Sequence, residues 1–154
     1  MTVRCTPLLL LVPLLVSGCG GSSGKAAGTN AVAQFVKAGN QVCIRSDRRI
    51  YRLGRLSTNP VGWAKTAVAA RLGVAEMRAL KPPADRAATF RLMLRYASAL
   101  AAQIQIVHDQ LASKNYDGAA SAQLAANKLL DHVHAQAKLA GLTFCQQGLT
   151  DWPA

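Results

Sequence analysis

Carboxylates are the scarcest chemistry in this chain of 154 residues. Seven acids stand against 18 Lys and Arg, and only one of the seven, Glu76, is a glutamate. Helical bundles that hold paired metal ions do so with several inward Glu and Glu-x-x-His pairs, so a single Glu excludes that chemistry. No stretch alternates with β-branched enrichment, which argues against a sheet. There is no His-Glu-x-x-His, no Gly-rich phosphate loop, no Gly-x-Ser-x-Gly and no Cys-x-x-Cys, so the common motif-borne chemistries have no footing here. Ser and Asp occur, but nothing places a base beside a nucleophile. Aromatics make up only 5% of the chain. Trp63, Tyr51 and Tyr96 read as packing residues, and Trp152 as a packing or contact residue near the C-terminus. No repeat of 20–50 residues is visible. With 51% hydrophobic residues the chain is too apolar to be disordered, and its length suits one domain.

What is present begins with an export address. Arg4, the apolar run Leu8 to Val16 and the small residues after it form a secretory signal, too short and too Pro-interrupted for a spanning helix. Its end, Val16-Ser17-Gly18-Cys19, has the pattern of a bacterial lipobox. There the Cys thiol takes a diacylglycerol and becomes the new N-terminus; two acyl chains suffice for stable anchoring where one does not. The expectation is a signal peptide over 1–18, a lipidated Cys19 opening a Gly/Ser-rich linker over 19–30, a helical bundle over 31–147 and a tail over 148–154. Gly20 to Asn30, as a flexible tether, would span roughly 17–20 Å. Processing removes Arg4 and no acid, so the formal charge falls by one unit from +11. No later run is apolar enough to cross a membrane, since the richest contains Gln103 and Gln105 and ends at His108.

Four Cys occur. Cys5 leaves with the signal and Cys19 carries lipid, so Cys43 and Cys145 remain. In an exported protein two remaining cysteines most simply pair with each other, with intermolecular pairing or free thiols as alternatives. A loop of about 100 residues is worth about 4.7 kcal/mol as an upper figure in the chain-entropy account. Neither Cys has a second Cys or His at ligand spacing, which speaks against a metal role.

The rest of the chain reads as four helices. The first, from Asn30 to about Leu56, carries Val32, Phe35/Val36, Gly39, Val42/Cys43, Ile50, Leu53 and Leu56 on one stripe. Asn59 and Pro60 open a second helix to about Leu80, with Val61, Val68, Leu72, Ala75 and Leu80 inward, closed by Pro82-Pro83. The third has the cleanest pattern: Phe90, Met93/Leu94, Ala97, Leu100/Ala101, Ile104, Val107/His108 and Leu111. A turn over Lys114 to Gly118, with Asp117 as cap, leads to a fourth carrying Leu124, Ala126/Asn127, Leu130, Val133 and Ala137, and ending at Gly141. Short connections make an all-α, antiparallel up-down-up-down four-helix bundle. Leu142 to Cys145, extended, would reach back about 13 Å to meet Cys43. Gly54 and Gly73, each costing about 1 kcal/mol against Ala in a helix interior, suggest close helix crossings.

His132 and His134 lie about 200° apart on a helix and cannot share a metal from one face. Asp131 and His134 face each other as a local pair. His108, on the apolar edge of the third helix, is about 16 Å from His134 in the expected hairpin. No metal and no cofactor is therefore expected. Arg45, Arg48, Arg49, Arg52 and Arg55 instead fall within an arc of about 120°, roughly opposite the apolar stripe. Guanidinium forks suit phosphates and carboxylates, so the arc is an anion-binding candidate as well as an ordinary solvated face. Outside a bacterial membrane the available anions are lipid headgroups and wall polymers. Nucleic acid is not an expected partner, because export removes it and no recognition motif accompanies the basic residues.

The layout resembles small predicted lipoproteins of actinobacteria, the thermoleophilic lineages especially. The resembling features are Val16-Ser17-Gly18-Cys19, the Cys43 to Arg55 stretch, Leu80-Lys81-Pro82-Pro83 and Ala140-Gly141-Leu142-Thr143-Phe144-Cys145. The resemblance covers nearly the whole mature chain, although only the lipobox is a specific motif. It implies the bundle and the Cys43–Cys145 bridge, and it implies no activity; the residues after Cys145 receive no role from it. The reading is of a lipid-anchored, non-enzymatic binding or scaffolding module on the outer face of the cytoplasmic membrane. Its partners would be anionic lipid, wall polymer or another envelope protein. The alternative of a small-ligand carrier or enzyme requires a deep pocket holding His108 or another buried titratable group.

Overall fold

Alanine and long aliphatic side chains dominate between the capping and breaking residues, so helix is the locally favoured state along most of the chain. The computed structural model describes residues 23–53 and 58–146. The expected signal segment over 1–18, Cys19, Gly54, Arg55 and residues 148–154 lie outside the described residues. Four helices make an all-α bundle: α1 Ser23–Tyr51, α2 Pro60–Arg78, α3 Ala87–Ala112 and α4 Tyr116–Ala140. A single 3-10 turn, Thr143–Gln146, follows α4. The pairs α3–α4 and α2–α3 pack most extensively, and α1 lies against α2 and the 3-10 turn.

Local chemistry sets the boundaries. Asn59 Oδ1 accepts from the Val61 N–H at 3.0 Å, with Pro60 in the first helical position. Gly141 closes α4 in the left-handed region at φ 78°, and Arg86 Nη1 donates to the Ala140 carbonyl beside it at 2.6 Å. At the other end of α4 the cap is Asn115 rather than the expected Asp117; its Oδ1 accepts from the Gly118 N–H at 3.0 Å, and Asp117 sits within the first turn. α1 starts at Ser23, inside the segment expected to be tether. Ala26 and Ala27 favour helix enough to carry it through the glycines, and Gln34 donates to Asn30 one turn on.

The core has two layers. One joins Phe35 and Val42 of α1 to Met77, Phe90, Met93 and Leu142, with Phe35 and Phe90 edge-to-face at 5.0 Å. The other gathers Trp63, Ala67, Ile104, Val107, Leu111 and Ala119 around the α3–α4 turn. The α3 pattern is met closely. The α2 pattern is not: Val61, Val68 and Leu72, expected inward, are 58%, 49% and 50% exposed, and Ala75 is exposed too. Leu80 alone of that set packs on the core. Trp63, Thr66, Ala67, Gly73 and Met77 form the buried face instead. The indole offers more apolar area than any valine, and the small residues around it let α3 approach closely. Likewise Leu124 of α4 is 65% exposed, while Ala119, Ala122, Ala126, Ala137 and Ala140 are buried.

Three contacts fasten α1. Leu142 fills the notch at Gly39, where an added Cβ would lie 2.6 Å from Leu142 Cδ2. Ser46 occupies the space a side chain at Gly73 would need, so Gly73 marks the close crossing its presence suggested. Cys43 and Cys145 form a disulfide, with Cα atoms 5.2 Å apart and 102 residues between them in sequence. The segment reaching Cys43 is the 3-10 turn, not an extended strand, because the Gly141 reversal already delivers Leu142 onto α1. Asn40 steadies it by accepting from the Phe144 N–H at 3.1 Å.

Replacing both Cys43 and Cys145 by Ser is expected to lower unfolding free energy by about 2–4 kcal/mol. Urea denaturation of wild type with and without reductant provides the comparison. Two titratable thiols in the native, unreduced protein would remove the bridge.

Candidate functional site

The arginines from Arg45 to Arg52, at and just beyond the end of α1, do not act as one face. Arg45 and Arg49 turn inward onto Glu76 of α2, the chain's single glutamate. Arg45 donates from Nε and Nη2 to Oε2 at 3.2 and 3.0 Å, and Arg49 Nη2 donates to Oε1. The Arg49 hydrogen bond first, opposed by partial burial and then helped by Arg45, holds the Glu76 carboxyl below its ordinary range. The arc therefore borders the α1–α2 seam instead of lying wholly opposite the apolar stripe. Arg48 and Arg52 are exposed, and Arg55 lies outside the described residues. Arg49 Nη1 and Ser46 Oγ are buried without a hydrogen-bond partner among the described residues.

Past this clamp the helices part into a trough of about 540 Å³. Arg49 of α1 with Arg52 and Leu53 just beyond its end form one wall, and Lys65, Val68 and Leu72 of α2 form the other. Its floor and one rim are aliphatic, and its remaining functional groups are cations. A second trough of about 500 Å³ lies between α2 and α3, over small residues such as Ala75 and Ala102. Its arginines are engaged: Arg71 Nη1 donates to Gln105 Oε1 at 3.2 Å and Arg78 Nη2 to Ser98 Oγ at 2.9 Å. Neither trough brings together a nucleophile and a base.

The histidines lie apart from both troughs' walls. His108 is partly buried, with Nδ1 2.8 Å from Asp109 Oδ1, and Gln105 Nε2 donates to the same carboxylate oxygen at 3.0 Å. The His108 contact, then the Gln105 bond, lower the Asp109 carboxyl. His132 stacks on Tyr96 with ring centres 4.7 Å apart. Among the described residues no group of three His, Cys, Asp or Glu side chains is placed to hold a metal ion. Nor is any described helix long and apolar enough to cross a membrane. The anchor candidate Cys19 lies outside the described residues.

The chain matches no protein-family model, no curated protein and no solved structure. Its class is therefore defined by its own architecture: a disulfide-tied helical bundle with a cationic and aliphatic trough beside its first helix.

Two features of the site escaped the sequence pattern. One is the Glu76 clamp, for which the only signal was a lone acid among many arginines. The other is the α2 stripe, which the periodicity found but assigned to the wrong side.

Because Glu76 titrates lower when folded, its contribution is present above its ordinary value of 4.5 and is lost as pH falls through the lowered one. Glu76→Gln is expected to cost about 0.5–1 kcal/mol at neutral pH, small because the pair is partly exposed and solvent-screened. The gap between wild type and variant should narrow at acid pH. Urea midpoints taken near neutrality and in acid check this; a gap independent of pH would remove the clamp.

Proposed function

We propose that this protein is an extracytoplasmic lipoprotein, held to the outer face of the cytoplasmic membrane through Cys19, that works by binding rather than by catalysis. The observation that carries the reading is Val16-Ser17-Gly18-Cys19 at the end of a signal segment. Supporting it, Cys43 and Cys145 pair within the chain, a chemistry suited to an oxidising compartment. The likeness to small actinobacterial lipoproteins points the same way. The binding part of the reading is supported by what the trough beside α1 offers, which is guanidinium, ammonium and aliphatic groups.

A second reading concerns the ligand. Arg48 and Arg52 remain exposed after Glu76 has engaged Arg45 and Arg49, and with Arg55 they would meet an anionic lipid or wall polymer. Crosslinking in native membranes would identify a second envelope protein if one is bound.

Intact mass of the protein extracted from membranes tests the anchor. The expected product begins at Cys19 and carries the mass of a diacylglycerol thioether. An unmodified Cys19, or a different N-terminus, would sink the proposal.

A further inference from the structure

We propose that the outward stripe of α2, Val61, Val68 and Leu72, together with Lys65 and with Arg52 just past the end of α1, is a face that docks on an anionic phospholipid surface. Docking deepens the second reading of the preceding subsection by choosing lipid over polymer, and it uses the anchor only to supply the membrane.

Three observations converge on this face. Its aliphatic side chains are about half exposed and recur at helical spacing along one side of α2. Such a stripe on a folded domain marks an interaction surface. Cations border it: Lys65 and Arg52 line the trough with Val68 and Leu72, and on a helical wheel Arg71, which donates to Gln105, falls on the stripe's other flank, about 80° from its centre. Finally, the only acid on α2 is Glu76, and it is already held by Arg45 and Arg49. No uncompensated carboxylate on α2 opposes approach to a negative surface.

An aliphatic stripe rimmed by cations is the pattern of an element lying in a membrane interface. Its apolar side sinks to the boundary of headgroup and acyl chain, and its long basic side chains reach the phosphates. A wall polymer is polar along its length and gives Val68 and Leu72 nothing to bury against. A second copy of the chain, paired isologously through the stripe, would set cations near their own counterparts. Bilayer docking satisfies both halves of the face. It also fixes a posture: from Ser23 to Tyr51, α1 is about 44 Å long, so an anchor before its start and a docking face beside its end lay the helix along the membrane.

Lys65 reports on the face directly. The lipidated protein is placed on vesicles of phosphatidylcholine alone, or of phosphatidylcholine and phosphatidylglycerol in equal parts. Lysines are then labelled with a water-soluble amine reagent, with Lys128 and Lys138 of α4 as internal references. On the anionic vesicles Lys65 should label at least about fivefold more slowly than the references, on the scale of one membrane-facing charge. The protection should vanish on neutral vesicles and in high salt. R48Q/R52Q should weaken it, and V68S/L72S, altering only exposed side chains, should abolish it while the helical circular dichroism is unchanged. Protection of Lys65 that survives V68S/L72S would overturn the proposal. So would equal protection by soluble poly(glycerol phosphate), or protection in detergent without lipid, the mark of a second copy. The anchor is read separately, by flotation with pure phosphatidylcholine vesicles. If that fails, Lys65 protection by added anionic vesicles still decides the docking face.

Discussion

The covalent and steric fastening of α1 between Gly39 and Arg49 is the constraint on which the remainder of the structure depends. Leu142 in the Gly39 notch, the Cys43–Cys145 bridge, the Ser46–Gly73 crossing and the Glu76 clamp all fall in that stretch. They act through different physics: packing, chain connectivity, close backbone approach and charge. Each locates the same register of α1 against α2 and the 3-10 turn. Without them α1 would contribute only Phe35, Val36, Val42 and Cys43 to a core otherwise built by α2, α3 and α4. A loop enclosing about 100 residues is where a crosslink restricts the unfolded chain most, so the bridge reinforces an attachment whose apolar contact is limited.

Acid scarcity shapes the surface through the same clamp. With one glutamate available, its position at the α1–α2 seam pairs it with two guanidinium groups that would otherwise stand there without a counter-charge. Arg48 of α1 and Arg52 beyond its end find no other carboxylate on α2. Positive charge is thus neutralised where the helices touch and left standing where they diverge. A basic face read from a helical wheel alone treats five arginines as equivalent. The packed molecule assigns two of them to structure.

How much of this was legible follows from what each pattern measures. The α3 stripe was read correctly because most of its large apolar residues recur on one side, Leu92 and Ile106 excepted, and both neighbours of α3 bury it. The Asn59-Pro60 opening and the Gly141 ending were legible because capping depends on nearby atoms. In α2 two stripes share the same period, one of Val and Leu and one of Trp, Thr, Ala, Gly and Met. Residue size pointed to the first, but packing density chose the second, since close helix approach needs small side chains around one large one. The same preference left Leu124 outside and a row of alanines inside α4. The Glu76 clamp depended on the crossing of α1 and α2, a tertiary fact with no local trace. The Cys43–Cys145 pairing was legible by elimination, although the 3-10 path that completes it was not.

Exposing Val61, Val68 and Leu72 carries a physical consequence for where α1 must stop. If α1 continued close to α2 beyond Tyr51, its apolar side would cover those residues and the bundle would close. Instead Arg52 and Leu53 leave the helix, and the guanidinium groups of Arg49 and Arg52 stand beside the trough. Covering aliphatic side chains with another helix requires burying those cations too, and a buried guanidinium without a carboxylate is costly. The single glutamate on α2 is already engaged one step earlier along the seam. A surface that supplies both apolar matter and negative charge relieves this conflict, because the cations are then neutralised at the same depth at which the aliphatic groups are covered. An anionic bilayer interface has that combination, and a protein core with one glutamate does not.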